Sequence, residues 1–318
     1  MKAIRVHEFG PPDVLKVEDV PQPSPKAGQA LVKIKAAGVN PVDTYMRSGL
    51  FYKKDLPYTP GTDAAGVVEA VGEGVEDIRP GDRVYTSGSL TGTYAELCLC
   101  KAAQLHRLPE KLSFSQGACI GVPYATAYRA LIHKAAAKAG ESVLVHGATG
   151  GVGMATVQLA RALGMTVIGS GGTEKGRKLV LAEGAHYALD HKEPGHLIEA
   201  ARIAGGGIDV IIEFLANVNL AGDLKTLSPF GRTVVVGNRG TIEIDPRDLM
   251  ARDASVIGMS LFNANEKELA SIHSGLIAGF EAGYLRPVAG REIKLSDAKD
   301  AHRAIMEESA YGKIVLIP

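Results

Sequence analysis

Residues 142–153, SVLVHGATGGVG, determine how this chain folds, because they join a short apolar run to a glycine-rich turn. The run Val143-Leu144-Val145 predicts a buried parallel strand, and the apolar spacing after the turn predicts a helix. A strand, glycine turn and helix in this order present backbone N–H groups at a helix N-terminus to a phosphate. In this variant of G-x-G-x-x-G, Gly150 lets the backbone approach the phosphates, and Gly153 lets the helix pack closely on the strand.

A second apolar strand, residues 166–168, runs into Ser170-Gly171-Gly172 and shows which dinucleotide the turn would hold. A site selective for NAD normally places Asp or Glu near this strand end, where it bonds the ribose 2′-hydroxyl. Here glycine stands instead, and Thr173, Lys175, Arg177 and Lys178 follow, so cations can pair with a 2′-phosphate. We therefore predict NADP(H) over NAD(H). The alternative is that these cations are solvated residues that open the next helix.

The composition is that of a globular protein large enough for two domains, with 318 residues, 46% hydrophobic and 22% charged. The net charge is zero and the pI is near 7.1, which argues against strong affinity for nucleic acid or an anionic membrane. Three cysteines cannot form a disulfide framework, and Cys98 and Cys100 are expected on the same side of one strand. With no apolar signal core in MKAIRVHEFG, we expect a soluble cytoplasmic protein.

Two kinds of pattern divide the chain. Up to about Leu108, short strands alternate with Gly/Pro turns, which is typical of a β-barrel-like domain. From residue 142 onward, strands alternate with helices, which indicates a doubly wound parallel sheet. The chain is thus predicted to be α/β, with residues 1–122 and 263–318 in the first domain and 123–262 in a nucleotide-binding domain. The last strand, residues 312–317, cannot form a domain alone, so it is expected to return and complete the first.

Six segments carry a family resemblance that spans essentially the whole chain: AGVNPVDTY at 37–45, PGTD at 60–63, PGDRV at 80–84, VHGATGGVG at 145–153, LANVNL at 215–220 and GNRGTIEI at 237–244. On these, the chain resembles the zeta-crystallin-type NADPH:quinone oxidoreductases of the medium-chain dehydrogenase/reductase superfamily. The resemblance implies a GroES-like catalytic domain, a Rossmann domain and a homodimer or homotetramer. We expect the subunits to meet at the sheet edge near residues 256–261.

Zinc-containing members of this superfamily have a cysteine and a Gly-His-Glu sequence where this chain has Asn40 and Gly61-Thr62-Asp63. Asn40 and Thr62 are poor zinc ligands, and Asp63 alone cannot hold the metal. We therefore predict no metal. Alcohol oxidation is disfavoured because it needs a Lewis acid to stabilise the alkoxide. Reduction of an electron-poor acceptor, such as a quinone, needs less electrophilic assistance than alcohol oxidation does.

The resemblance implies that the nicotinamide lies near the Asn40–Tyr45 segment. The Tyr45 hydroxyl could donate to the reduced oxygen, and it also matches a residue that contacts the cofactor; the alternative for Tyr45 is aromatic packing. The Asn40 amide could bond the acceptor carbonyl; alternatively, Asn40 serves a turn before proline. Lys313 is interpreted as a cleft residue or, more simply, as a surface charge. His191 is either a neighbour of the adenosine ribose-phosphate or a surface histidine, and Asn217 competes with Asn219. The candidate cofactor-binding residues are Tyr45, Thr149, Gly150, Gly151, Val152, Gly153, Gly172, Thr173, Lys175, Arg177, His191, Asn219, Val236, Gly237, Asn238, Arg239, Met259, Ser260, Leu261 and Lys313.

The expected reaction is transfer of reducing equivalents from NADPH to a quinone, with one- or two-electron transfer left open. Two alternatives remain. One is reduction of an enone or alkenal double bond with the same cofactor. The other belongs to a different class: a crystallin-like protein that binds nucleotides or AU-rich RNA, a role described for similar proteins, although the neutral charge argues against it.

Overall fold

A computed structural model describes residues 1–50, 54–309 and 311–318. Its contacts divide the chain into two compact units, one of Met1–Val122 with Pro287–Pro318 and one of Pro123–Arg286. The second unit includes the helix Glu266–Ala282, whose Glu268 Oε2 lies 3.0 Å from Arg129 Nη2. The predicted domain bounds at residues 122 and 262 stay predictions.

The first unit is built mainly from one sheet. Its strands are β1 (Lys2–Val6), β2 (Leu15–Asp19), β3 (Gln29–Gly38), β4 (Asp63–Val71), β5 (Arg83–Thr86), β6 (Leu97–Lys101), β7 (Leu105–Arg107), β14 (Ala289–Lys294) and β15 (Lys313–Ile317). Seven of them form the sheet, six in the order β14-β15-β3-β4-β5-β7, with β6 also paired to β3; β1 and β2 pair separately. In β3, Lys33 and Lys35 are exposed between buried Val32, Ile34 and Ala36, which is the alternation expected of a sheet with one buried face.

The C-terminal strand returns to the first unit, as predicted. β15 pairs antiparallel with β3, and Val315 lies opposite Gly38. The helices of this unit are α1 (Pro41–Ser48), α2 (Phe114–Gly117) and α10 (Ala298–Glu307). The predicted pair Cys98 and Cys100 is buried on one side of β6, with the two Sγ atoms 3.8 Å apart.

The second unit is a doubly wound sheet. Its strands are β8 (Ser142–Val145), β9 (Thr166–Ser170), β10 (Tyr187–Leu189), β11 (Ile208–Glu213), β12 (Leu227–Val235) and β13 (Ser255–Gly258). They lie in the order β10-β9-β8-β11-β12-β13, and every pair is parallel. The strand order reverses at β8 and β11, which is where such sheets bind a dinucleotide.

Five helices connect these strands: α4 (Gly151–Ala162), α5 (Glu174–Ala182), α6 (His196–Ile203), α7 (Ala216–Thr226) and α8 (Pro246–Met250). Helix α3 (Gly121–Tyr128) precedes β8, and α9 (Glu266–Ala282) follows β13. α3 continues as a π-helical turn, Arg129–Lys134. Parallel strands share one carboxyl edge, so the residues that follow them meet there. No described helix has both the length and the apolar character needed to cross a membrane.

Candidate active site

The glycine turn after β8 forms the cradle that its sequence predicts. Gly147 has φ +51°, and α4 begins at Gly151 with Gly150 as its N-cap. A Cβ on Gly153 would lie 2.5 Å from the carbonyl oxygen of Gly147 and 2.7 Å from the Cα of Ala148. Only glycine fits at 153, because the helix packs against the turn without room for a side chain.

Gly150 is under a different constraint from Gly153. A Cβ there would meet one atom within 4 Å, the Gly147 carbonyl oxygen at 3.6 Å, which is an ordinary contact. The fold itself therefore does not require glycine at 150. The open space lies at the N-terminus of α4, where the first N–H groups have no partner within the helix. This arrangement fits a pyrophosphate, which the N–H groups of residues 151–153 would hold.

The ends of β9 and β10 carry the predicted adenosine-side residues. The His191 ring lies beside Gly172, since a Cβ on Gly172 would be 2.8 Å from His191 Nε2. Thr173 caps α5 and accepts the Gly176 N–H at 3.1 Å. Lys175 is exposed on α5. The structure brings these residues together, and their contact with a cofactor stays a prediction.

Arg177 has a partner that the sequence did not indicate. Its Nη1 lies 2.6 Å from Asp190 Oδ2 and donates to the Gly171 carbonyl at 3.1 Å. The backbone N–H of Lys192 and the Arg177 guanidinium hold the pKa of the Asp190 carboxyl below its usual value. Thus a carboxylate does lie near the end of β9, but it belongs to Asp190, the residue that follows β10.

The residues after β11 and β12 are joined by hydrogen bonds. Asn219 Nδ2 donates to Glu213 Oε1 at 3.2 Å, whereas Asn217 Oδ1 accepts the N–H of Arg239 at 2.9 Å. Asn238 Nδ2 donates to the Gly240 carbonyl at 2.6 Å. The backbone N–H groups of Val236 and Gly237 both donate to the Glu213 carbonyl. Both asparagines therefore hold this edge together, and the choice between them as cofactor contacts stays open.

Arg129 organises the segment after β13 and was missed by the sequence analysis. It is buried, its Nη1 donates to the Ser260 carbonyl at 2.9 Å, and its Nη2 bonds Glu268. Met259 is buried and donates its N–H to the Val235 carbonyl at 2.9 Å, and Leu261 begins a 3₁₀ turn. In the sequence Arg129 is one residue in a helical pattern, so no local signal reveals this role.

In the first unit, Lys313 lies at the centre of a buried cluster. Its Nζ donates to Asn40 Oδ1 at 2.7 Å and to Asp63 Oδ2 at 2.5 Å, and Asn40 Nδ2 donates to the same Asp63 oxygen at 2.9 Å. The other Asp63 oxygen accepts the Val122 N–H at 2.8 Å. The interpretation of Lys313 as a surface charge is wrong, since the side chain is 3% exposed. Its hydrogen-bond partners, Asn40 and Asp63, come from the opposite end of the chain.

The cluster limits what Asn40 can do. Its amide oxygen accepts from Lys313, and one amide N–H is given to Asp63, so a single side-chain N–H remains for another acceptor. The same residue caps α1, with its backbone N–H donated to Asp43 Oδ2 at 2.9 Å. Tyr45 is half-buried on α1. Catalytic roles for Asn40 and Tyr45 stay predictions.

A second buried network supports α1. Tyr94 Oη lies 3.1 Å from Asp43 Oδ2 and 3.2 Å from His302 Nε2, and His302 Nδ1 lies 3.5 Å from Arg47 Nη1. These bonds can run in one direction, from Arg47 through a neutral His302 and Tyr94 to an ionised Asp43. Burial raises the pKa of Asp43 to about 6 and, with the nearby Arg47 charge, lowers the pKa of His302 to about 3.

One group in the described part of the chain has the composition of a metal site. His146, Glu213 and Asp223 are buried, and their potential ligand atoms lie within 4.8 Å of one another. His146 Nε2 is 2.8 Å from Asp223 Oδ1 and 3.3 Å from Glu213 Oε2. The contact between His146 Nε2 and Asp223 Oδ1 is a hydrogen bond, whereas Glu213 Oε2 has no hydrogen-bond partner among the described residues.

Comparison with known proteins gives the family. The chain is 52% identical to a human quinone oxidoreductase over 321 aligned residues, which cover all of this chain and 98% of that one. Residues 26–110 match the family described as "Alcohol dehydrogenase GroES-like domain", and residues 151–274 match "Zinc-binding dehydrogenase". The chain belongs to the quinone oxidoreductase family. The predicted family and the α/β fold class are thereby confirmed.

Solved structures agree with this family. The Escherichia coli quinone oxidoreductase complexed with NADPH has a TM-score of 0.90 at 30% identity, with both chains fully covered. A structure described as an NAD-dependent alcohol dehydrogenase has a TM-score of 0.93 at 29% identity, again over both full chains. Overall similarity thus spans members with different named reactions, so the residues of the site must distinguish them.

Proposed function

We propose that this protein is an NADPH-dependent quinone oxidoreductase that works without zinc. The observation that carries the proposal is the buried ammonium of Lys313, 2.7 Å from Asn40 Oδ1 and 2.5 Å from Asp63 Oδ2. Asn40 and Asp63 stand where zinc-containing members of the superfamily have the cysteine and the Gly-His-Glu sequence. The fixed positive charge of Lys313 beside them repels a second cation. Together with a family identity above 50% over the full chain, this favours reduction of a quinone over oxidation of an alcohol.

In this proposal the chain's own residues bind and orient NADPH and the acceptor. NADPH, when bound, supplies the reducing equivalents, and the protein supplies positioning and electrostatics. The N-terminus of α4 holds the pyrophosphate, with Gly150 leaving room for it. Lys313 and Asp63 fix the Asn40 amide, whose remaining N–H faces the acceptor carbonyl. The Tyr45 hydroxyl or solvent gives the proton to the reduced oxygen.

Arg177 is the residue proposed to select the phosphorylated coenzyme. Its guanidinium has five N–H donors, and the structure uses Nη1 for Asp190 and the Gly171 carbonyl. The remaining donors can bond a 2′-phosphate, and the carboxylate of Asp190 keeps the guanidinium oriented. Lys175 and Thr173 on the same turn complete the proposed phosphate site.

Steady-state assays test both parts of the proposal. Oxidation of NADPH and NADH is followed with an ortho-quinone, a para-quinone and an enone as acceptors. We expect NADPH to exceed NADH by at least about tenfold in kcat/KM, which corresponds to about 1.4 kcal/mol, and quinones to exceed the enone. Equal KM values for the two coenzymes would refute the preference, and a faster enone reaction would refute the acceptor class.

The variants Arg177→Ala and Lys178→Ala refine this test. Removing the Arg177 guanidinium should raise KM for NADPH about tenfold and leave NADH unchanged, because a charge-assisted bond to phosphate is lost. Lys178 lies one residue further on the same helix, is exposed and pairs with Glu174, so its removal should change neither coenzyme. If the two variants behave alike, Arg177 does not read the 2′-phosphate.

A cytoplasmic homodimer or homotetramer is also proposed. The edge strand β13 pairs with β12 in the described sheet and exposes Ser255, Val256 and Gly258. An exposed edge of this kind is suited to pairing with a second copy. Three free, buried cysteines are consistent with a reducing compartment.

A further inference from the structure

A buried cluster of His146, Glu213 and Asp223 lies at the carboxyl edge of the second unit's sheet. His146 follows β8, Glu213 ends β11, and Asp223 lies on α7. Both carboxylates are fully buried and the imidazole is 4% exposed. Burying two carboxylates and one histidine away from solvent costs free energy that an apolar core would not cost. We therefore ask what this cluster contributes to the site.

Glu213 is the member through which this cluster reaches the proposed cofactor site. Its Oε1 accepts the side-chain N–H of Asn219 at 3.2 Å and the backbone N–H of Leu215. Its backbone carbonyl accepts the N–H groups of Val236 at 2.8 Å and Gly237 at 3.2 Å. One residue therefore joins the end of β11 to the start of α7 and to the segment after β12.

These segments belong to one half of the dinucleotide-binding sheet. In the order β10-β9-β8-β11-β12-β13, the strands β8 to β10 form one mononucleotide-binding half, and β11 to β13 form the other. Arg177, on the helix after β9, lies in the first half with the proposed 2′-phosphate site. Asn219 and Gly237 lie in the second half. Since each half binds one mononucleotide, these two residues lie on the side of the nicotinamide nucleotide.

The charge state of the cluster is set by its own members. Burial raises the pKa of Glu213 to about 7, with the His146 charge opposing and the Asp223 charge adding to this shift. Although burial disfavours a charged imidazole, the carboxylates of Asp223 and Glu213 raise the pKa of His146. His191, after β10, is the further ionisable group that the His146 charge affects.

We propose that Glu213 is a positioning residue for the nicotinamide half of the cofactor, acting through Asn219 and the first turn of α7. This rests on the proposed function, since it assumes that NADPH binds along this edge. Without the Glu213 carboxyl, the Asn219 amide and the Leu215 N–H lose their shared acceptor, and the first turn of α7 loses its anchor to β11. The adenosine half, held in the first half of the sheet, is unaffected.

Binding of two ligands to three variants tests the proposal. The ligands are NADPH and 2′,5′-ADP, which carries the phosphorylated adenosine half alone. Glu213→Ala should weaken NADPH about tenfold, the effect of about one lost hydrogen bond, and leave 2′,5′-ADP within about twofold. Glu213→Gln keeps an acceptor for Asn219 and should restore NADPH affinity to within about threefold. Glu141→Gln is the control, because Glu141 precedes β8 and pairs with Arg232 on β12. This variant should change the affinity for neither ligand.

Rescue by the conservative variant separates positioning from a structural role. A loss that came only from weakened folding would reduce affinity for both ligands alike, whereas a loss of positioning reduces affinity for NADPH alone, and Glu213→Gln restores it. Equal weakening of both ligands, or of neither, in Glu213→Ala would overturn the proposal, as would a Glu213→Gln variant that binds NADPH no more tightly than Glu213→Ala.

Failure of the proposed function has a different result from failure of this inference. If wild-type protein binds neither NADPH nor 2′,5′-ADP, the proposed cofactor is wrong. If wild-type protein binds both and Glu213→Ala matches it, only the positioning role is wrong. Thermal unfolding of each variant identifies loss of folding, and Glu213→Gln, which keeps the shape of the side chain, still tests the proposal if the alanine variant does not fold.

Discussion

At the scale of single residues, Lys313 makes the most consequential contact in the first unit. Its ammonium neutralises Asp63, whose side chain is fully buried. Lys313→Met should lower the free energy of unfolding by about 3–5 kcal/mol, because it leaves an uncompensated buried charge. Urea unfolding measures this loss. Lys33→Met, at an exposed position on β3, is the control and should stay within about 0.5 kcal/mol of wild type. A loss below about 1 kcal/mol for Lys313→Met would mean that Asp63 is stabilised without the ammonium.

At the scale of elements, the turn between β8 and α4 separates binding from packing. Gly150→Ala should fold normally, since its Cβ would meet one atom at 3.6 Å, but it should lose at least about tenfold in NADPH affinity because the methyl group occupies the phosphate approach. Gly153→Ala should lose stability instead, since its Cβ would lie 2.5 Å from a carbonyl oxygen that cannot move freely. Thermal unfolding and NADPH titration of the two variants check this. Equal behaviour of both variants would contradict the division.

The burial of His302, on α10 in the first unit, makes stability depend on pH. His302 is 1% exposed, and its pKa is lowered to about 3, whereas an unfolded histidine titrates near 6.5. Between these values the unfolded chain binds the proton and the folded chain does not, so His302 makes stability fall as pH drops from about 6.5, by up to about 1.4 kcal/mol per pH unit. Asp43, with its pKa raised to about 6, acts in the opposite sense between about 3.9 and 6.

His302→Gln should therefore unfold with a shallower pH dependence, whatever its stability at pH 7. Urea unfolding at pH 7, 6 and 5 gives the slope for both proteins. Equal slopes would show that His302 accepts a proton without unfolding. His7→Gln is a suitable control, because His7 is exposed and pairs with Glu18 at the surface.

At the scale of the whole molecule, the exposed edge of the second unit's sheet predicts self-association. Val256 on β13 is 37% exposed. Val256→Lys should reduce the mass measured by light scattering from a dimer or tetramer toward a smaller species, because a charge on an edge strand opposes strand pairing. Val17→Lys, at an exposed position on β2, should leave the mass unchanged. A wild-type monomer would contradict the proposed assembly.

The sequence by itself determined the fold class and several of the elements. Apolar runs predicted β1 and β10 to the residue and the α9 bounds as observed, because hydrophobic periodicity and glycine punctuation act over a few neighbouring residues. The roles of Gly150 and Gly153 could also be distinguished, since the spacing of a phosphate-binding turn is local. The family motifs then assigned the two kinds of domain, a GroES-like domain and a Rossmann domain.

Only the tertiary structure decided which distant side chains share a site. Lys313 lies 250 residues from Asp63 in the chain, and nothing in either neighbourhood shows that the two will meet. Asp190 reaches Arg177 from the end of β10, and His146 contacts both Glu213 at the end of β11 and Asp223 on α7. Burial and charge pairing are properties of the packed chain. Whether a lysine is a surface charge or a buried counter-ion therefore depends on which side chains the fold places around its ammonium group.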